Sequence, residues 1–150
     1  MHLTRFTDYS LRVLLYLAVK GERRSTITEI AERFDISRNH LMKVVQDLSH
    51  HGYITSIRGK NGGLLLRREP DTIVLGELIR RTERDLALVE CFGDGNECVI
   101  TPACRLKHIL KEALEAFLAV LDGYTLEDLL GARRQPLIQL LQLDETPPAA

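Results

Sequence analysis

At 150 residues the chain can form one compact unit with a helical extension, and it carries three cysteines, no tryptophan and a formal charge of -1. No stretch approaches the roughly 20 apolar residues of a membrane span. The apolar run Val13 to Val19 follows Asp8 and Arg12 and lacks a small-residue cleavage pattern, so a cytoplasmic protein without membrane or leader segments is expected.

The near-neutral total hides a division along the chain. Residues 1–68 hold 12 Lys+Arg against 6 Asp+Glu, whereas residues 69–150 hold 8 against 15. The first half is therefore the candidate polyanion surface.

Leu11, Leu14, Leu15 and Ala18 recur at helical spacing, which predicts a first helix with Thr7 as its cap and Asp8 in its first turn. Thr26 and Glu29 form a capping-box pattern that opens a short second helix through Phe34, with Ile27, Ile30, Ala31 and Phe34 on its buried side. Asp35 and Ile36 make a turn. Ser37 then caps a third helix whose Leu41, Val44, Val45 and Leu48 form one apolar stripe and whose other face shows Arg38, Asn39, His40, Lys43 and Gln46. Two short helices joined by a tight turn, the second opening with polar and basic residues, predict a helix-turn-helix that reads the major groove. The candidate DNA contacts are Thr28, Ser37, Arg38, Asn39, His40 and Lys43.

Tyr53 to Ile57 and Leu64 to Leu66 flank Arg58-Gly59-Lys60-Asn61-Gly62-Gly63, which predicts a β-hairpin with a basic, glycine-rich tip. Arg58, Lys60 and Asn61 extend the DNA surface as a wing. A phosphate-cradling nucleotide loop would need a helix after the glycines, and a strand follows instead.

Leu75, Leu78 and Ile79 predict a fourth helix, after which Cys91, Cys98 and Cys104 crowd around the polar stretch Gly93 to Glu97. Three thiols cannot all pair within one chain, and clustered thiols without an export signal point to metal or cluster ligation. Beyond them a long helix is predicted from about Cys104 to Leu121. Its apolar stripe, Leu106, Ile109, Leu110, Ala113, Leu114, Phe117, Leu118 and Leu121, is broader than a small winged domain covers, so a second copy of the chain is its expected partner, with burial within one chain the alternative. Thr125 caps a short helix ending near Gly131, residues 136–143 form another, and 146–150 are expected to be a disordered tail. No nucleophile-base constellation or cofactor loop points to an enzyme.

The fold class expected is mainly α with a small β-hairpin wing: a winged helix-turn-helix over residues 1–75, then a ligand loop and dimerisation helices over 76–145. Leu3-Thr4-Arg5-Phe6-Thr7-Asp8-Tyr9, Ser37 to Leu41, Arg58 to Gly63, Thr101 to Lys107 and Tyr124-Thr125-Leu126 together resemble the winged-helix repressors that carry an iron-sulfur cluster, most closely their nitric-oxide-sensing members. The resemblance covers nearly the whole chain. It implies a cytoplasmic homodimer that binds palindromic double-stranded operator DNA. It further implies a cluster, 4Fe-4S in preference to 2Fe-2S, held by Cys91, Cys98 and Cys104, with nitric oxide as the signal that relieves repression. The shared N-terminal motif offers Asp8 as a fourth ligand, reaching across the dimer, although a carboxylate in the first turn of a helix also suits the helix dipole or Arg12 one turn on. In relatives that govern cluster assembly a histidine stands three residues beyond the last cysteine. Here that position is Lys107, with His108 one residue further. A regulator that reports cluster status, or a winged-helix protein with structural Zn on the three cysteines and His108 or an acid, are the alternatives.

Overall fold

The structure, a computed structural model, describes residues 1–143, so the tail expected at 146–150 lies outside the described residues. Seven helices and one hairpin follow in the order α1 (Arg5–Lys20), α2 (Ile27–Phe34), α3 (Arg38–His50), β1 (Ile54–Ile57), β2 (Gly63–Leu66), α4 (Leu75–Thr82), α5 (Arg105–Asp122), α6 (Leu126–Leu130) and α7 (Arg134–Leu140). The architecture is the expected mainly helical one with a β-hairpin wing. No helix among the described residues is long and apolar enough to cross a membrane.

Helix α1 begins earlier than its apolar spacing indicates, and its cap is Thr4 rather than Thr7. The Thr4 hydroxyl accepts the amide of Thr7 at 3.3 Å. Thr7 is fully buried, and its own hydroxyl donates to Thr82 Oγ1 at 2.8 Å. Both threonines can cap a helix. The tertiary partner on α4 draws Thr7 inward and leaves the end position to Thr4.

The capping box at α2 forms as expected, with Glu29 N–H on Thr26 Oγ1 and Thr26 N–H on the Glu29 carboxylate. Glu29 also binds the Tyr16 hydroxyl at 2.7 Å and the Lys20 ammonium, which ties α1 to α2. Burial opposes the charge on Glu29, but Lys20, Tyr16 and the Thr26 amide hold its carboxyl below the ordinary range. Asp35 makes the turn in the left-handed region (φ 52°, ψ 50°), and Ile36 closes it from within. Leu41, Val44, Val45 and Leu48 of α3 are buried, and α3 packs against both α1 and α2.

The hairpin is antiparallel, with Ile54 opposite Leu66 and Ile57 opposite Gly63. Ser25, just before α2, pairs with Leu64 through two main-chain hydrogen bonds of 2.7 and 3.1 Å and adds a third edge to the small sheet.

After α4 the chain departs through the cysteine segment and α5, then returns to where it left. Leu75 N–H binds Tyr124 O and Leu126 N–H binds Ile73 O, each at 2.9 Å. Gly76 lets the end of α5 approach, because a Cβ there would fall 1.9 Å from Asp122 Oδ1. The Arg80 guanidinium then grips the Asp122 carboxylate with two donors. Helices α6 and α7 pack on α1, and Leu126, Leu130, Leu141 and Leu143 join the same core as Leu14, Leu17 and Leu48. The last helix starts at Arg134, two residues before the expected Pro136. Proline is tolerated there because amides of a first turn have no partner within the helix.

Candidate nucleic-acid interface and cysteine segment

Burying one edge of α3 turns the other outward, so Arg38, Asn39, His40, Lys43 and Gln46 are all exposed. Ser37 stands at the amino end, its hydroxyl accepting the amide of His40 at 3.4 Å. Between α3 and the hairpin lies a groove of about 900 Å³, lined by Asn39, Met42, Lys43, Gln46, Thr55, Ser56, Arg58 and Arg67 among others. Asn39, Lys43 and Arg58 were expected at such a surface, and the structure brings them to one groove. Met42, Thr55 and Arg67 were missed, since only the packing of the hairpin beside α3 shows that they share it.

The amino end of α1 borders the same surface. Arg5 and Tyr9 line an apolar depression with His40 and Lys43, and the Tyr9 and His40 rings lie 6.2 Å apart. Thr28 is half-buried on α2, whereas Arg58, Lys60 and Asn61 are exposed at the hairpin tip. Gly59 (φ 105°) turns that tip, and the main chain folds so tightly that a Cβ on Gly62 would lie 2.2 Å from Ile57 O.

The cysteine segment between α4 and α5 contains two short 3-10 turns, Glu90–Phe92 and Thr101–Ala103, and otherwise irregular chain. Cys91 sits in the first turn, Cys98 on the exposed bend, and Cys104 at the amino-terminal cap of α5; all three are free thiols. Polar bonds shape the bend: Glu97 N–H on Glu90 Oε1 at 2.8 Å, Cys98 N–H on Asn96 Oδ1 at 3.1 Å, and the Thr101 hydroxyl on Cys98 O at 2.8 Å. Among the described residues no three His, Cys, Asp or Glu side chains converge on a point where a metal ion could sit.

Asp8, the expected fourth ligand, is engaged by Arg12, whose Nη2 lies 2.8 Å from Oδ2 and whose Nε donates to Oδ1 at 3.2 Å. The guanidinium also lies 5.8 Å from the ring centre of Tyr9 and 5.7 Å from that of Phe34. His108 is exposed on α5. In donor chemistry the segment fits an iron-sulfur group: three unpaired thiols, soft ligands, within 14 residues of mostly irregular chain between α4 and α5.

The chain matches the Rrf2 family, described as iron-dependent transcriptional regulators, over residues 3–132. It is 56% identical over 135 residues to the HTH-type transcriptional regulator NsrR of Geobacillus kaustophilus, covering 89% of this chain and 92% of that protein. It is 51% identical over 148 residues to the regulator of the same name from Bacillus subtilis, covering 97% and 100%. Among solved structures it is similar to CymR, the global cysteine regulator of B. subtilis, with TM-score 0.70 and 33% identity over 86% of this chain and 95% of that one. It is likewise similar to the IscR of T. potens, with TM-score 0.70 and 27% identity over 91% and 90%. These relatives are regulators of transcription and not enzymes, and the chain belongs with them to the Rrf2 family of iron-dependent transcriptional regulators.

Proposed function

We propose that this chain is a repressor that senses nitric oxide through an iron-sulfur cluster held by Cys91, Cys98 and Cys104. The observation that carries the reading is the placement of three free thiols on one short segment between α4, which packs on α1, and α5, which packs on α4. Likeness to regulators named NsrR at 51–56% identity supports the choice of signal.

In this reading residues 1–75 bind DNA and residues 76–145 sense and dimerise. A cluster, 4Fe-4S in preference to 2Fe-2S, supplies iron with which nitric oxide reacts. Asp8, held here by Arg12, would serve as the fourth ligand from the partner chain, a harder and more labile donor than thiolate. Its position one turn into α1 couples the ligand set to the recognition helix packed on α1. Repression and its relief require that the two states differ in operator affinity, and coupling of this kind is typically about 1–3 kcal/mol.

The homodimer rests on α5. Leu106, Ile109, Phe117 and Val120 are 39–62% exposed in the single chain, and Leu118 alone on that helix is buried. Pairing of this face with its copy removes it from water and presents two recognition helices to a palindromic operator, roughly 34–36 Å apart. Arg38 and Asn39 are the base readers, by two-bonded contact with guanine and adenine. Ser37, His40, Lys43, Thr28, Arg58, Lys60 and Asn61 complete the contact set. The protein acts in the cytoplasm on double-stranded DNA.

Anaerobic purification followed by a visible spectrum and an operator-binding titration, before and after addition of nitric oxide, tests the reading. A coloured protein whose operator affinity falls on treatment supports it. A colourless protein containing Zn, or a coloured one whose affinity is unmoved by nitric oxide, overturns it.

A further inference from the structure

The segment linking α1 to α2 carries two adjacent arginines that point to different partners. Arg23 donates to the carbonyl of Leu143 at 3.3 Å, next to the C-terminal helices. Arg24 donates to the main-chain carbonyl of Asn61 at the tip of the wing. The wing is seated against this segment closely: Ser25 pairs with Leu64, and a Cβ on Gly63 (φ 151°) would fall 2.9 Å from Arg24 Cβ and 3.1 Å from Ser25 O. The tip is thus held from outside the hairpin, by a residue 37 positions earlier.

A carbonyl oxygen is a neutral acceptor, so this bond leaves the guanidinium charge unspent. Among the described residues Arg24, Arg58 and Lys60 have no carboxylate within ion-pair distance. A guanidinium has five donors in a fixed fork, and one of them bound to Asn61 leaves the others for an oxyanion. Resting on the DNA-binding reading of the wing, we propose that Arg24 is a positioning residue that also meets the ligand: it braces the wing tip through Asn61 and makes a backbone phosphate contact beside it.

Each phosphate contact contributes about 0.9 to the slope of log affinity against log salt. Arg24→Ala should therefore weaken binding to operator and to unrelated DNA by the same factor, about three- to tenfold, and lower the slope by about 0.9. Arg24→Lys should restore the slope but not the full affinity, because a single ammonium replaces the forked brace. Arg23→Ala, which removes the same charge one residue away, should leave the slope nearer the wild-type value. Arg24 is exposed, so thermal melts are expected to be unchanged and to exclude a folding defect. An unaltered slope in Arg24→Ala removes the phosphate contact, full affinity in Arg24→Lys removes the brace, and an equal fall in Arg23→Ala reduces the effect to general charge. Lys60→Ala separates the two levels: if it too leaves the slope unchanged, the wing itself does not meet DNA, whereas a lowered slope there with none in Arg24→Ala defeats only the role of Arg24.

Discussion

The Glu83 carboxylate closes over the amino end of α1, where its Oε1 accepts the Thr4 amide at 2.7 Å and the Thr4 hydroxyl at 3.0 Å. Glu83 ends α4 and begins the cysteine segment, and Thr4 caps the helix that carries Asp8. One buried carboxylate therefore joins the start of the cysteine segment to the start of α1.

Burial works against ionisation of Glu83, but the hydrogen bonds it accepts from the Thr4 amide and hydroxyl hold its carboxyl below the ordinary range. A depressed carboxyl contributes stability above its unfolded value of about 4.3 and loses it as pH falls through the folded value. Glu83→Ala should cost about 1.5–3 kcal/mol near neutrality in urea unfolding, and the deficit should shrink in acid. A pH-independent difference between variant and wild type would assign the loss to packing.

Gly62 is the tightest point of the wing, since any side chain there meets the Ile57 carbonyl. Gly62→Ala should distort the tip and weaken DNA binding at least tenfold while leaving the helical circular dichroism intact, because the seven helices lie outside the hairpin. Unchanged affinity in a fluorescence-anisotropy titration would show that the tip does not touch DNA.

The outward face of α5 offers a clean test of association. Leu114, on the inner flank, lines a cavity with Met1, Leu3 and Phe117, so changing it disturbs the fold of one chain as well. Ile109 is 51% exposed. Ile109→Glu should yield well-folded monomers in sedimentation and lower operator affinity by a hundredfold or so, on the order of the loss of about 3 kcal/mol expected when one half-site's partner is removed. A dimeric variant would relocate the interface.

Asp8 has two partners in prospect, Arg12 within the chain and iron across the dimer. The Arg12 pair is solvent-facing and contributes no more than about 1 kcal/mol. Asp8→Ala should therefore melt within a few degrees of wild type yet show an altered visible spectrum and a weaker link between nitric oxide and operator release. A wild-type spectrum and response would leave Asp8 as a helix-start carboxylate and move attention to His108. Single Cys91→Ser, Cys98→Ser and Cys104→Ser variants should each bleach the protein.

The helices, the wing and the broad stripe of α5 were legible in the sequence because each follows from local rules: caps such as Thr26 with Glu29, apolar spacing in α3, and glycines flanked by strands. The basic surface was legible for the same reason, since exposed charge on one helix face follows from which residues are buried on the other. What local rules cannot supply is the choice between equivalent partners. Thr4 and Thr7 can both cap a helix, and only the meeting with Thr82 and Glu83, some 75–79 residues away, decides that Thr7 goes inside. The brace from Arg24 to Asn61, the groove shared by Met42 and Arg67, and the seating of α6 and α7 on α1 are of the same kind. Each depends on distant segments brought together by the common core, and the order of residues along the chain holds no sign of it.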